Sequence, residues 1–206
     1  MPVGINSFAE FTEMHTSFLQ EISNMGAGNA ATSLSNMIGA PTDISVPSVK
    51  ILSAAEAGGL ADILSARTAS YLITLSGDMK GSMLFIIPFE FIERLVGTYF
   101  PGVSVKSRED MDEMASSMVK EMVNLVSASY ANNFAVLSNM MVDISVPDPE
   151  PKPSAKILSQ NAAGTVNVCF INMSIEICDC KKNFNVLFFP ELETIKGFMG
   201  RIGIEC

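Results

Sequence analysis

The sequence predicts an α/β (α+β) domain written twice. Two homologous halves, about 7–100 and 107–201, are expected to share one continuous, mainly antiparallel sheet flanked by helices. Three observations predict it. "DISVP" at 43–47 recurs letter for letter at 143–147. The trio Ser17, Glu21 and Asn24 returns one hundred positions later as Ser117, Glu121 and Asn124. Each half also closes on a pair of apolar strands, "ASYLITLSGD" with "GSMLFIIP" and "GTVNVCFINMSIEI" with "NFNVLFFP". With 206 residues, 48% of them hydrophobic, the chain has apolar surface enough for one domain, 1–206, with a large core.

A long helix opens each half. At 100° per residue, Phe11, Met14, Phe18, Ile22 and Met25 fall on one face, and so do Met111, Met114, Met118, Met122 and Leu125. These are the expected core stripes. An extended "DISVP" follows, then a short strand ending "VKILS" at Ser53 or "AKILS" at Ser159. The second copy comes six residues late because the proline-rich "DPEPKPS" is inserted before it. "SGDMKG" is expected to turn a hairpin, which makes its two strands antiparallel. A short helix should follow Pro88 and Pro190.

Composition removes several function classes. A formal charge of −9 disfavours nucleic acid and anionic membranes as partners, because phosphate neutralisation needs clustered Lys and Arg. No run of 18 apolar residues occurs, so no membrane span is expected, although mean hydropathy is +0.32. The N-terminal "MPVGINSFAEF" lacks the basic and apolar regions of a secretory signal, which points to the cytoplasm. Cys169, Cys178, Cys180 and Cys206 crowd the C-terminal part and read as reduced thiols. The Cys-x-Cys pair lacks a second Cys or His pair, so no metal site is expected. His15 is the sole histidine and reads as partly exposed surface, which disfavours a Ser-His-Asp or Cys-His nucleophile.

Ser17, Glu21 and Asn24 stand at i, i+4 and i+7 on the side opposite the expected core stripe, as do Ser117, Glu121 and Asn124. One copy of Glu-x-x-Asn carries little weight, since the outward face of an amphipathic helix is polar anyway. Two copies weigh more. The core positions changed between halves, Phe18 to Met118 and Ile22 to Met122, while the outward Glu and Asn did not. Asn cannot exchange a proton near neutral pH, but its carboxamide both accepts and donates hydrogen bonds, which suits a group that orients an attacking water. A neighbouring Glu can anchor a lysine on another protein. The expected site is convex and completed by a partner.

At these residues the chain resembles the CheC-type chemotaxis phosphatases, the CheC/CheX/FliY family. Their signature is a Ser or acidic residue, three residues, Glu, two residues, Asn, twenty-two residues and Pro. Ser17, Glu21, Asn24 and Pro47 meet that spacing, and so do Ser117, Glu121, Asn124 and Pro147. The likeness extends over nearly the whole chain. It implies hydrolysis of the aspartyl phosphate on the response regulator CheY: Glu21 and Glu121 would pair with a regulator lysine, and Asn24 and Asn124 would align water. The Mg²⁺ would belong to the regulator, with no cofactor bound by this chain. The resemblance also implies a pseudo-two-fold body with the two long helices side by side on one face of the sheet. Gly26 and Gly28, each costing about 0.5–1 kcal/mol inside a helix, would then mark where another backbone crosses closely. Asn29 and Ala30 are assigned packing roles. The second helix departs at Val126, Ser127 and Ala128, where the first has Gly-Ala-Gly, and at Tyr130 in place of Ala30. Two motifs in one chain imply a self-sufficient monomer. Rival readings are a non-catalytic adaptor that regulates the receptor deamidase CheD, and a duplicated small-molecule-binding domain.

Overall fold

A computed structural model of the protein describes residues 7–53, 56, 67–149, 167–177 and 180–204. Helix α1 (Glu13–Ile38) leads into strand β1 (Thr42–Ser53), the hairpin β2 (Thr68–Gly77) and β3 (Gly81–Pro88), and helix α2 (Phe89–Tyr99). Helix α3 (Glu113–Ser138) is followed by β4 (Val142–Ile144), the two-residue β5 (Asp148–Pro149), the hairpin β6 (Asn167–Ile177) and β7 (Cys180–Pro190), and helix α4 (Leu192–Arg201). One turn of 3-10 helix precedes each long helix.

The seven strands form one sheet in the order β1-β6-β7-β3-β2-β4, with β5 also against β2. Every pairing is antiparallel, as the hairpin signals require. The order shows an exchange. The strand after α1 adds to the β6–β7 hairpin, and the strand after α3 adds to the β2–β3 hairpin. The hairpins themselves meet where Met83 faces Phe188 and Phe85 faces Val186.

The expected turn is present. It leaves β2 through Gly77 (φ 92°) and enters β3 through Gly81 (φ 146°). A Cβ at either glycine would run into backbone, Met141 O in one case and Phe189 O in the other. The short strand expected after "DISVP" does not stand alone in the first half. It is continuous with β1, which carries a bulge between Ser45 and Ser48, on either side of Pro47, whose nitrogen cannot join the ladder. In the second half only Val142–Ile144 of that segment is strand, and "AKILS" lies outside the described residues.

The core lies between the sheet and the helices. Met83, Phe85 and Ile87 of β3 and Phe184, Val186 and Phe188 of β7 join it at alternate positions. An aromatic chain links the layers. Phe18 of α1 meets Phe198 of α4 at 6.2 Å between ring centroids, Phe198 meets Phe134 of α3 edge-on at 5.0 Å, and Phe134 meets Phe188 of β7 at 5.9 Å.

α1 and α3 pack side by side and antiparallel. Gly26 lies against the ring of Tyr130, and the Asn133 carboxamide donates to the Ile22 carbonyl at 2.9 Å. Both helices end on a left-handed residue, Gly39 (φ 68°) and Asn139 (φ 54°). The expected core stripes are corrected here. In the first set Ile22 is buried and Phe11 and Phe18 are half-buried against the core, while Met14 is 59% and Met25 44% exposed. The buried arc runs instead through His15, Leu19, Ile22, Ser23, Gly26, Ala27, Ala30 and Leu34. On α3 Met122 is buried, Met111, Met118 and Leu125 are half-buried against the core, and Met114 is exposed. The reason is that α1 packs against both β1 and α3. Close approach to α3 rotates the covered arc toward small residues and leaves methionines outside.

His15 is likewise interior, only 4% exposed. It is spent on the helix start: the Thr12 backbone N–H donates to its Nδ1 at 3.0 Å, in a reciprocal capping box with the Thr12 side chain. The glycines are corrected as well. What a Cβ at Gly26 would meet is the Tyr130 ring, at 3.2 Å, and not a backbone; around Gly28 there is open space. Asn29 is exposed, so only Ala30 packs. Cys169 and Cys180 lie on β6 and β7, and Cys178 and Cys206 are outside the described residues.

These contacts predict opposite outcomes for the two glycines. Gly28→Ala should raise stability by about 0.5–1 kcal/mol, because the methyl enters open space and the helix gains propensity. Gly26→Val should lower it by about 1–3 kcal/mol by driving a branched side chain into the Tyr130 ring. Urea unfolding of both variants checks the pair of signs.

Candidate functional site

Ser17 and Glu21 are exposed on α1 and Asn24, one turn on, is half-buried; Ser117, Glu121 and Asn124 repeat those exposures on α3. Each trio therefore lies along the outer side of its own helix. The structure does not merge them into one cluster. The register set by Ile22 beside Asn133 and Gly26 beside Tyr130 places Asn124 level with position 31 of α1. At 1.5 Å rise per residue, the two Asn are then about 10 Å apart along the helix axes and the two Glu about 20 Å apart. The two trios are thus separate along the helix axes.

Their surroundings differ. The Val46 backbone N–H donates to the Asn24 carboxamide oxygen at 3.0 Å, and Gln20 Nε2 reaches the Val46 carbonyl at 3.4 Å. Two side chains of α1 thus bind β1 immediately before Pro47. In the first half this bond spans the separation between Asn24 and Pro47. The bulge at Pro47 leaves Val46 N–H turned to the helix, and the carboxamide accepts it. In the second half the chain takes another path. Val146 is 80% exposed, Pro147 is buried, and among the described residues the Asn124 carboxamide makes no hydrogen bond. Its carboxamide thus has hydrogen-bonding capacity unused among the described residues.

The second site also opens beside a groove of about 510 Å³ that sequence reasoning missed. Ser117 and Glu121 line it together with Met37, Tyr99, Phe100, Met114 and Met118. The expected core stripe includes Met114 and Met118, which line the groove. Their interleaving with Ser117 and Glu121 at helical spacing was the available signal. Tyr99 and Phe100 come from the end of α2, which no pattern in α3 reveals.

The start of α3 is held firmly. Asp112 accepts from the Ala115 N–H at 2.7 Å. Backbone N–H groups of Lys106 and Ser107, with the Ser107 hydroxyl, hold the exposed Asp110 carboxyl below its ordinary value. Nearby, burial pushes the Tyr71 phenol up, against opposing effects of Ser116 and Arg108. Among the described residues no three His, Cys, Asp or Glu side chains gather as metal donors, and no helix is long and apolar enough to cross a membrane.

Known proteins resemble this chain at both levels. The model of the CheC-like family matches residues 14–51, and that of the chemotaxis phosphatase CheX matches residues 69–170. The CheY-P phosphatase CheC of Bacillus subtilis (strain 168) is 31% identical over 145 residues, 68% of this chain and 68% of that protein. The flagellar motor switch phosphatase FliY of the same organism is 23% identical over 67% of this chain, a match that takes in 36% of its own length. Among solved structures, Thermotoga maritima FliY superposes with a TM-score of 0.76 at 20% identity, covering 94% of this chain and 98% of that one. The FliM middle domain from H. pylori gives 0.66 at 13% identity, over 93% and 99%. At such identities the structures speak for the fold alone.

The Val46 bond makes the two asparagines unequal for stability. Asn24→Ala should cost about 1–2 kcal/mol, since it strands the Val46 N–H. Asn124→Ala should stay within about 0.5 kcal/mol of the parent. Parallel chemical denaturation of the two variants measures the difference.

Proposed function

The chain belongs to the CheC/CheX/FliY family of chemotaxis phosphatases, and from that premise we propose that it hydrolyses the aspartyl phosphate of a CheY-type response regulator. The observation that carries the reading is the pair of Glu-x-x-Asn sets, each on the outer side of a long helix that its partner helix holds in place. Glu21 and Glu121 are exposed on the outer sides of their helices, where they can enter the site of another protein. The similarity to a CheY-P phosphatase supplies the partner class.

In this reading Glu21 and Glu121 pair with a lysine beside the regulator's phosphorylated aspartate, a charge-assisted contact that fixes the approach. Asn24 and Asn124 orient water for in-line attack on phosphorus. The P–O bond to the aspartate breaks, the aspartate leaves as carboxylate, and the water's proton passes to the phosphate released. Mg²⁺ held by the regulator neutralises charge on the phosphoryl oxygens, and this chain supplies position and hydrogen bonds. Ser17 and Ser117, one turn before each Glu, contact the partner. A carboxamide is suited to this because it takes no proton itself and so works across the neutral range.

Phosphate release from phosphorylated regulator with Mg²⁺ tests the reading. Wild type should accelerate it. A variant with Glu21, Asn24, Glu121 and Asn124 all replaced by Ala should lose about 10²-fold or more, roughly 2.7 kcal/mol of barrier. Single Glu replacements should act mainly through KM and single Asn replacements through kcat. No acceleration by wild type would end the phosphatase reading in favour of the adaptor of CheD.

A further inference from the structure

The groove beside Glu121 has no equivalent use inside the fold. Its floor is apolar, from Met37 at the end of α1, Tyr99 and Phe100 at the end of α2, and Met114 and Met118 on α3. Tyr99, Phe100 and Met114 are 40%, 36% and 39% exposed, and the two rings stand 6.3 Å apart. Large apolar side chains in such a cluster are costly to leave in water, and clusters of this kind mark interaction surfaces. Ser117 and Glu121 line the groove, so a protein seated on Glu121 would lie over it.

The corresponding place beside α1 is built differently. Phe18 stands where α3 has Met118, and its ring is turned onto Phe198. Counting from Pro190 as from Pro88, Arg201 and Ile202 stand where the second site has Tyr99 and Phe100. Arg201 Nη1 donates to the Asn139 carbonyl at 3.0 Å, and reaches that of Ser138 at 3.5 Å, at the end of α3 that lies level with Ser17. One site thus carries a cation at its flank. The other carries an apolar groove with a carboxylate on its rim and, among the described residues, no cation in its lining. A partner that presents a lysine beside an apolar side chain complements the second better than the first.

We propose that this groove is the docking seat for the phosphorylated regulator's receiver domain, which inserts an apolar side chain there while its lysine meets Glu121. The α3 site is therefore the one that captures regulator at low concentration. The proposal rests on the phosphatase reading for the identity of the partner.

The test uses fluorescence anisotropy with labelled regulator carrying beryllofluoride in place of the phosphoryl group, so that binding is read without hydrolysis. The parent is the Glu21→Ala/Asn24→Ala protein, which retains only the α3 site. Adding Phe100→Ala and Met114→Ala should weaken binding about tenfold or more, since a central apolar anchor is lost. Met141→Ala, also exposed (Met141 69%) but away from the groove, should leave the Kd unchanged. Thermal unfolding verifies that the groove variant is folded. A Kd shifted less than threefold, or no binding of regulator to the parent, overturns the proposal. So does a concentration-dependent dimer in sedimentation velocity that the groove variant abolishes, which would give the groove to a second copy of the chain. Tight, groove-dependent binding without phosphate release would leave the docking seat standing and remove the phosphatase reading.

Discussion

The distance between α1 and α3 governs everything presented on the outer face. Two contacts set it: the ring of Tyr130 lying on Gly26, and the Asn133 carboxamide bonded to the Ile22 carbonyl. The first limits how near the helices come, and the second fixes their sliding register, because a directional bond to one carbonyl does not tolerate displacement by a turn. The same register puts Ala30 level with Val126, both fully buried. A glycine beside a tyrosine on one side of the crossing is thus balanced by an alanine beside a valine on the other. The departures of α3 from the Gly-Ala-Gly run of α1 are complementary changes in volume, and the interface stays filled.

The strand exchange does for the sheet what that crossing does for the helices. β1 pairs with β6 and β4 pairs with β2, so each hairpin is completed by a strand that follows the other's long helix. A displacement of α1 relative to α3 would have to carry β1 with it against β6. The Asn24 and Gln20 bonds to Val46 tie α1 to that strand directly. In the proposed mechanism the asparagines position water, and about 1 Å of misplacement can cost two orders of magnitude in rate. Their supports differ: Asn24 is bonded to a strand, and Asn124 makes no hydrogen bond among the described residues.

Sequence alone determined the antiparallel hairpins, the two long helices and the outward placement of Ser17, Glu21, Ser117 and Glu121. All of these follow from local spacing: glycines flanking the turn in "SGDMKG", alternation in "GSMLFIIP", and i, i+4, i+7 steps on a helix. It did not determine which residues are interior on those helices. A helical wheel assumes one covered face, and α1 is covered on two, so Met14 and Met25 were placed inside and His15 outside, the reverse of what packing gives. Tertiary structure also decided that Gly26 serves a ring, and that α2 delivers Tyr99 and Phe100 to the second site. It likewise set the unequal bonding of Asn24 and Asn124. Each of these depends on groups distant in the chain meeting in space, and the sequence periods that report a residue's own helix or strand carry no term for what arrives from elsewhere.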